Sequence, residues 1–217
     1  MADQRARRGM MPRVHLPSPR RAEHTMGMPA TVPRRWTRAE VEALIEANPL
    51  HTPRYELVDG ELFVTPAPGY VHQAAVIELA VALREYLRET RVGEVFTSPA
   101  DVELEPGALV QPDDFVLPTD EARRARTSSP ARTLLLAAEV ISPGSARGDR
   151  GKKRKDYQKH VPEYWIVDLD AELFERWRPG DERPEVLRES IEWRPAGASF
   201  PFVLEIPAYF ARVQGNG

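Results

Sequence analysis

Two short apolar runs, residues 134–141 and 164–167, frame a segment, 149–160, that is long enough for a helix yet holds almost no apolar residue besides Tyr157. Buried strand, helix and buried strand in that order imply a parallel crossover within one sheet, a connection that is right-handed in nearly all proteins. An α/β or α+β class is expected, with an added N-terminal hairpin. A helix that is polar all round either stands in solvent or packs against something polar. Its short links to buried strands make standing off awkward, so it is expected to face charged groups.

The first apolar run supplies one such group. Glu139 is its single polar residue, and a carboxylate in that setting is costly unless it is paired, protonated or bound to a cation. The alternative is a strand end that reaches solvent, because Ser142-Pro143-Gly144 follows. A second group comes from Asp113 and Asp114, which follow Pro112 in a strand read over 109–117. Proline removes a ladder hydrogen bond and marks an edge or bulge, and bulges re-aim side chains beside active sites. Consecutive strand residues point to opposite faces, so at most one of the two aspartates joins Glu139.

The third group is a cation. All four lysines of the chain, Lys152, Lys153, Lys155 and Lys159, fall in one eight-residue window, while the other 26 basic residues are arginines. Lysine is a compact charge whose proton affinity responds to burial, unlike the permanently charged arginine fork. Asp149, Lys153 and Tyr157 stand at i, i+4 and i+8, on one helix face. Packed inward, that face brings Lys153 to the carboxylates. Packed outward, it makes an ordinary Asp149–Lys153 pair worth ~0.3–0.5 kcal/mol.

Composition narrows the chemistry. The chain has no cysteine among its 217 residues, so thiolate catalysis and cysteine-held metals are excluded. Oxygen-bound Mg²⁺ or Mn²⁺ suits its acids better than a soft ion. Net charge is −3, unevenly spread. Residues 1–35 carry eight arginines against two acids, and residues 147–159 carry seven cations against two acids. An acidic body with one cationic strip suits a local polyanion site. No apolar run nears the ~20 residues of a membrane span, and the basic N-terminus lacks the apolar core of a signal peptide. A soluble, cytoplasmic protein is expected.

Along the chain, residues 1–35 read as a disordered Pro- and Arg-rich tail. All five methionines lie in the first 28 residues, making Met26 and Met28 alternative starts. One domain is expected over 36–210, with a flexible end at 211–217. Thr37 with Glu40 forms a capping box before a helix at 38–47, and Asp59-Gly60 joins two β-type runs into a hairpin. A helix at 71–90 has Val76, Leu79, Leu83 and Leu87 as its core face. A strand pair is expected at 95–104 and 109–117, turning at Glu105-Pro106-Gly107, followed by an Arg- and Ser-rich loop. Short closing strands are expected at 173–177, 185–192 and 202–206.

Several stretches together resemble the Uma-two family of restriction-like endonucleases. They are Tyr55-Glu-Leu-Val-Asp-Gly-Glu61, Pro66-Ala-Pro68, His72-Gln73, Gln111-Pro-Asp113, Glu139-Val-Ile-Ser-Pro143, the Asp149–Lys153–Tyr157 helix, and Val161-Pro-Glu-Tyr-Trp-Ile-Val-Asp168. The resemblance spans roughly 37–206 and places the chain in a branch of the PD-(D/E)XK nucleases. It implies a restriction-endonuclease-like core, a central mixed β-sheet flanked by helices, with an added N-terminal helix and hairpin. By that motif, Asp113 is the first acid, Glu139 the second, and the Val140 backbone carbonyl a third metal contact. The usual lysine position is Ile141 here, so the lysine role passes to Lys153 on the following helix.

Two acids on neighbouring strands with a lysine make a phosphodiesterase arrangement, in which a divalent ion activates water and neutralises the phosphate and the ammonium meets developing charge. The expected activity is Mg²⁺- or Mn²⁺-dependent endonucleolytic cleavage of DNA, with RNA not excluded. Supporting roles fall to His72, Glu56, Glu61, Ser142, Asp149 and Tyr157. Lys152, Lys155 and Arg150 are the expected nucleic-acid contacts. A homodimer would serve duplex cutting. The competing expectation is a non-cutting module that binds nucleic acid or is purely structural on the same fold. Glycoside hydrolysis by paired carboxylates leaves the lysine helix unexplained.

Overall fold

The computed structural model describes residues 30–32, 34–127, 130–141 and 149–215, with the backbone alone for 30–32, 149 and 150. Residues 1–29 of the expected tail therefore lie outside the described residues.

Local chemistry sets the N-terminal layer. Helix α1 (Arg38–Glu46) starts at Thr37, whose hydroxyl accepts from the Glu40 amide while the Glu40 carboxylate accepts from the Thr37 amide. Strands β2 (Arg54–Val58) and β3 (Glu61–Thr65) pair antiparallel across Asp59 and Gly60, both at positive φ (49° and 74°). That is the backbone a two-residue hairpin demands and the reason Asp-Gly stands there. A third strand, β1 (Ala30–Val32), pairs with β3. It falls inside the segment expected to be tail, so the ordered chain reaches back to residue 30. Three residues are too few to show a period.

Helix α2 (Tyr70–Thr90) buries Ala75, Val76, Leu79, Leu83, Tyr86 and Leu87, the stripe its spacing predicts. It packs on a six-stranded sheet made of β4 (Gly93–Thr97), β5 (Asp114–Pro118), β6 (Leu136–Ile141), β7 (Tyr164–Asp168), β8 (Leu173–Trp177) and β9 (Glu185–Leu187), in that spatial order. β6 and β7 are parallel and the other neighbours antiparallel, so the expected crossover and mixed sheet are present. Every residue of β6, β7 and β8 is buried, as near-continuous apolar strands covered on both faces require.

The β4–β5 pair is shorter than expected. Residues 98–113 leave the ladder in an excursion closed by the 105–107 turn and held by the Val102–Val110 bridge. Pro99 and Pro112 flank it, and neither can donate to a ladder. Helix α3 (Thr119–Ala125) stands where a loop was expected; seven residues with one buried alanine carry no readable period.

Residues 149–160 are not one helix. Asp149–Lys153 is a wide turn broken at Gly151 (φ −94°, ψ −108°), and the regular helix α4 is Arg154–His160. The last expected strand is shorter than read, because β10 (Ser190–Trp193) and β11 (Phe202–Glu205) make a hairpin followed by helix α5 (Ile206–Val213). That helix buries Val213, so order runs past the expected end at 210. The α2, α5 and β10–β11 layer covers one face of the sheet. The other face meets α4, the N-terminal hairpin and the 98–113 excursion.

Candidate active site

Alternation along β5 and β6 places the acids. Phe115 and Leu117 of β5, and Ala137 and Ile141 of β6, face the α4 side. Asp113 and Glu139 share their parity and join that side, while Asp114 falls with Val116 on the other. Both site acids are buried, at 2 % and 1 % exposed.

Each has fixed partners. The Arg54 guanidinium donates to Asp113 Oδ1 at 2.8 Å. His72 Nε2 lies 3.1 Å from Oδ2 of the same carboxylate, and the Val140 amide donates to that oxygen at 2.9 Å. Burial by itself would raise the Asp113 carboxyl; the charges of Arg54 and His72 and these hydrogen bonds overcome it and hold it well below the ordinary carboxylate range. Lys153 Nζ stands 3.2 Å from Glu139 Oε1 and 2.7 Å from Glu56 Oε2. The Tyr157 hydroxyl donates to Glu139 Oε1 at 3.2 Å, and the Gln111 amide to Glu56 Oε1 at 2.9 Å. Burial, then the charges of Glu139 and Glu56, push the Tyr157 phenol well above its usual range, so it stays a donor.

The structure thus brings Asp113, Glu139, Lys153, His72, Glu56 and Tyr157 into one cluster. The Gly151 break does not prevent this, because Lys153 and Tyr157 still meet at Glu139. Glu61 goes elsewhere: it pairs with Lys152 on the surface at 2.7 Å, and Asp59 joins the same ammonium at 3.1 Å. The Lys152 charge is thereby paired with surface carboxylates, while Lys155 is exposed. Val140 is engaged through its amide. Ser142 lies outside the described residues, as do the side chains of Asp149 and Arg150.

One member was not anticipated. Arg54 reaches Ser98 Oγ at 2.8 Å and the Gln111 carbonyl at 3.2 Å besides Asp113. Burial would lower its proton affinity, but the charges of Asp113, Glu56 and Glu139 raise it instead. The signal was available: Arg54 and Glu56 are two apart on one strand and so share a face.

Three carboxylates, Glu56, Asp113 and Glu139, therefore face two fixed cations, Arg54 and Lys153. The donors are hard oxygens, and His72 adds its imidazole beside Asp113. Among the described residues no three His, Asp or Glu side chains form a cage able to hold a metal by themselves. Hard oxygen donors are the kind Mg²⁺ and Mn²⁺ take, usually one or two carboxylates with water and phosphate completing the shell.

A mixed six-stranded sheet with buried acids on adjacent strands and a lysine against one of them fits the class of restriction-endonuclease-like folds. The chain belongs to the Uma2 family, whose model, described as "Putative restriction endonuclease", matches residues 40–208. A solved structure, described as a putative nuclease belonging to DUF820 from Anabaena variabilis, superposes with a TM-score of 0.62 at 21% identity, covering 74% of this chain and 92% of that one. At that identity it supports the fold. No curated protein matches. Among the described residues no helix is long and apolar enough to cross a membrane.

Proposed function

We propose that the protein is a metal-dependent endonuclease that hydrolyses phosphodiester bonds in DNA. The carrying observation is the pair Asp113 and Glu139, buried on one sheet face, with the Lys153 ammonium 3.2 Å from Glu139. Asp113 and Glu139 would hold Mg²⁺ or Mn²⁺. When bound, such an ion supplies an acidified water nucleophile and neutralises phosphate charge.

The remaining roles follow from the contacts. Glu56 fixes Lys153 so that its ammonium meets charge developing on the phosphate oxygens. Tyr157 holds Glu139 in place by donating to one of its oxygens. His72 and the Val140 amide orient Asp113. Arg54, bonded to Asp113 and within the electrostatic reach of Glu56 and Glu139, offsets their mutual repulsion before substrate arrives.

A second reading, a non-cutting module on the same fold, draws on one observation. Both Asp113 oxygens are already engaged by Arg54, His72 and Val140. Nicking of supercoiled plasmid with Mg²⁺ or Mn²⁺, wild type beside Glu139→Ala and Lys153→Ala, separates the two. Metal-dependent nicking lost in both variants supports the nuclease. No nicking by wild type, together with no thermal stabilisation by either ion, leaves the inert module. A competent site gains ~2.7 kcal/mol at a hundredfold excess of ion over Kd.

A further inference from the structure

A groove of about 1220 Å³ runs along α2 and the edge strand β4. Arg54, His72 and Asp113 line it near the start of α2, and Arg84, Arg88 and Arg91 line it near the end. Helix rise separates His72 from Arg84 by ~18 Å. Ile77, Val81, Arg84, Arg88 and Arg91 follow one another at steps of three and four, so they form one continuous stripe. Its first part is apolar and exposed, with Ile77 at 57% and Val81 at 48%. Its second part is cationic.

Elsewhere the arginines are mostly spoken for. Arg38, Arg124, Arg132, Arg176 and Arg212 each pair with a carboxylate. Arg126, which also lines the groove, pairs with Glu94. Arg84, Arg88 and Arg91 are exposed and have no carboxylate partner among the described residues. A net-acidic chain thus leaves a row of three uncompensated guanidinium groups on a track that ends at Asp113.

We propose that this groove carries a single, unpaired nucleic-acid strand, with its phosphates on Arg84, Arg88 and Arg91 and its bases against Ile77, Val81 and Phe96. The inference deepens the nuclease reading and rests on it for the strand's destination. An unpaired strand fits better than a duplex because the uncompensated cations lie on one wall only. Ile77 and Val81 are exposed and apolar, so they offer nothing to a second phosphate backbone but can lie against base faces; the Phe96 ring, which packs on Phe115 with Arg126 5.9 Å above it, borders them.

The test is binding of a fluorescent oligothymidylate to the full chain in EDTA, followed by anisotropy between about 50 and 200 mM salt. The variant combines Arg84→Gln, Arg88→Gln and Arg91→Asn; asparagine is chosen because Arg91 closes α2 in the left-handed region (φ 57°). Each lost phosphate contact lowers the slope of log K against log salt by ~0.7 on single strands, so the triple variant is expected to lose about 2. Arg183→Gln, at an exposed arginine that does not line the groove, is expected to leave the slope unchanged.

An unchanged slope in the triple variant overturns the proposal. So does duplex binding that is tighter than single-strand binding and equally dependent on the three arginines. A change in sedimenting mass in the triple variant overturns it too, in favour of a second copy as occupant. The readout needs no cleavage. Arginine-dependent strand binding by a protein that never nicks plasmid keeps the groove and removes the nuclease. Nicking and strand binding that both survive the triple variant keep the nuclease and remove the groove.

Discussion

The central sheet buries carboxylates on both of its faces and treats them in opposite ways. On the α4 side, Asp113 and Glu139 meet Arg54, His72, Lys153 and Tyr157. On the α2 side, one residue along from Asp113, Asp114 is fully buried, and neither of its oxygens has a hydrogen-bond partner among the described residues. Burial and the neighbouring Asp113 charge push its carboxyl well above the ordinary range, whereas Asp113 is held below it. Two consecutive aspartates of nearly equal depth therefore sit on opposite sides of a normal carboxylate. Depth does not distinguish them; what faces them does. The side with cations keeps Asp113 charged. The side without them can only keep its acid neutral.

That contrast can be broken most severely from the cationic side. Lys153→Met leaves Glu56 and Glu139 buried without their ammonium. Loss of one partner of a buried pair costs about 3–5 kcal/mol, to be read from urea unfolding. Adding Glu56→Gln should return part of it, and a double-mutant cycle measures how much. If Lys153→Met costs less than ~1 kcal/mol, the value for an exposed pair, Lys153 does not hold the acids in place.

The activity version compares the two aspartates directly. Asp113→Asn is expected to reduce plasmid nicking more than ~100-fold, the upper end for residues that only orient a ligand. Asp114→Asn is expected to leave nicking rates near wild type. Equal losses in both variants would dissolve the distinction between the faces.

Stability against pH sharpens it further. Native Asp114 keeps a proton that the unfolded chain releases above its ordinary value of 3.8. Its favourable contribution is full below that pH and falls as pH rises toward its elevated native value. Wild type should therefore gain stability relative to Asp114→Asn as pH drops from 7 to 4, seen as a rise of its unfolding midpoint relative to that of the variant. Asp113 has the opposite sign. Its contribution is full above the ordinary carboxylate value and is lost in stronger acid, as pH falls through its depressed native value.

The smallest effect belongs to the lysine next door. Lys152 is a third exposed and bridges Glu61 and Asp59. Lys152→Ala should cost less than about 1 kcal/mol, and less again in high salt. A neighbour of Lys153 in sequence would then differ from it several-fold in consequence.

Much of this was legible in the chain. Glu139 in an apolar run, Asp113 after a proline, the lysine window and the polar helix all pointed to one charged face. Pattern also carried the capping box, the Asp-Gly hairpin and the α2 stripe. Helix α5 was legible and passed over: Ile206, Tyr209, Phe210 and Val213 are spaced for one helix face, with Pro207 in its first turn. Strand β1 and helix α3 were not legible, being too short for a period to emerge.

What the sequence determined by itself is local or periodic: turns, caps, which face of a strand or helix is apolar, and which residues break that pattern. Such features depend on neighbours within a few positions, and the chain states those neighbours outright. Only the tertiary structure decided which carboxylate meets which cation. It took Arg54 to Asp113, Glu56 rather than Glu61 to Lys153, and left Asp114 with neither. A buried charge's fate depends on groups tens of residues away in the chain and a few ångströms away in space. Interactions between charges are strong only where water is excluded, and packing decides where that is.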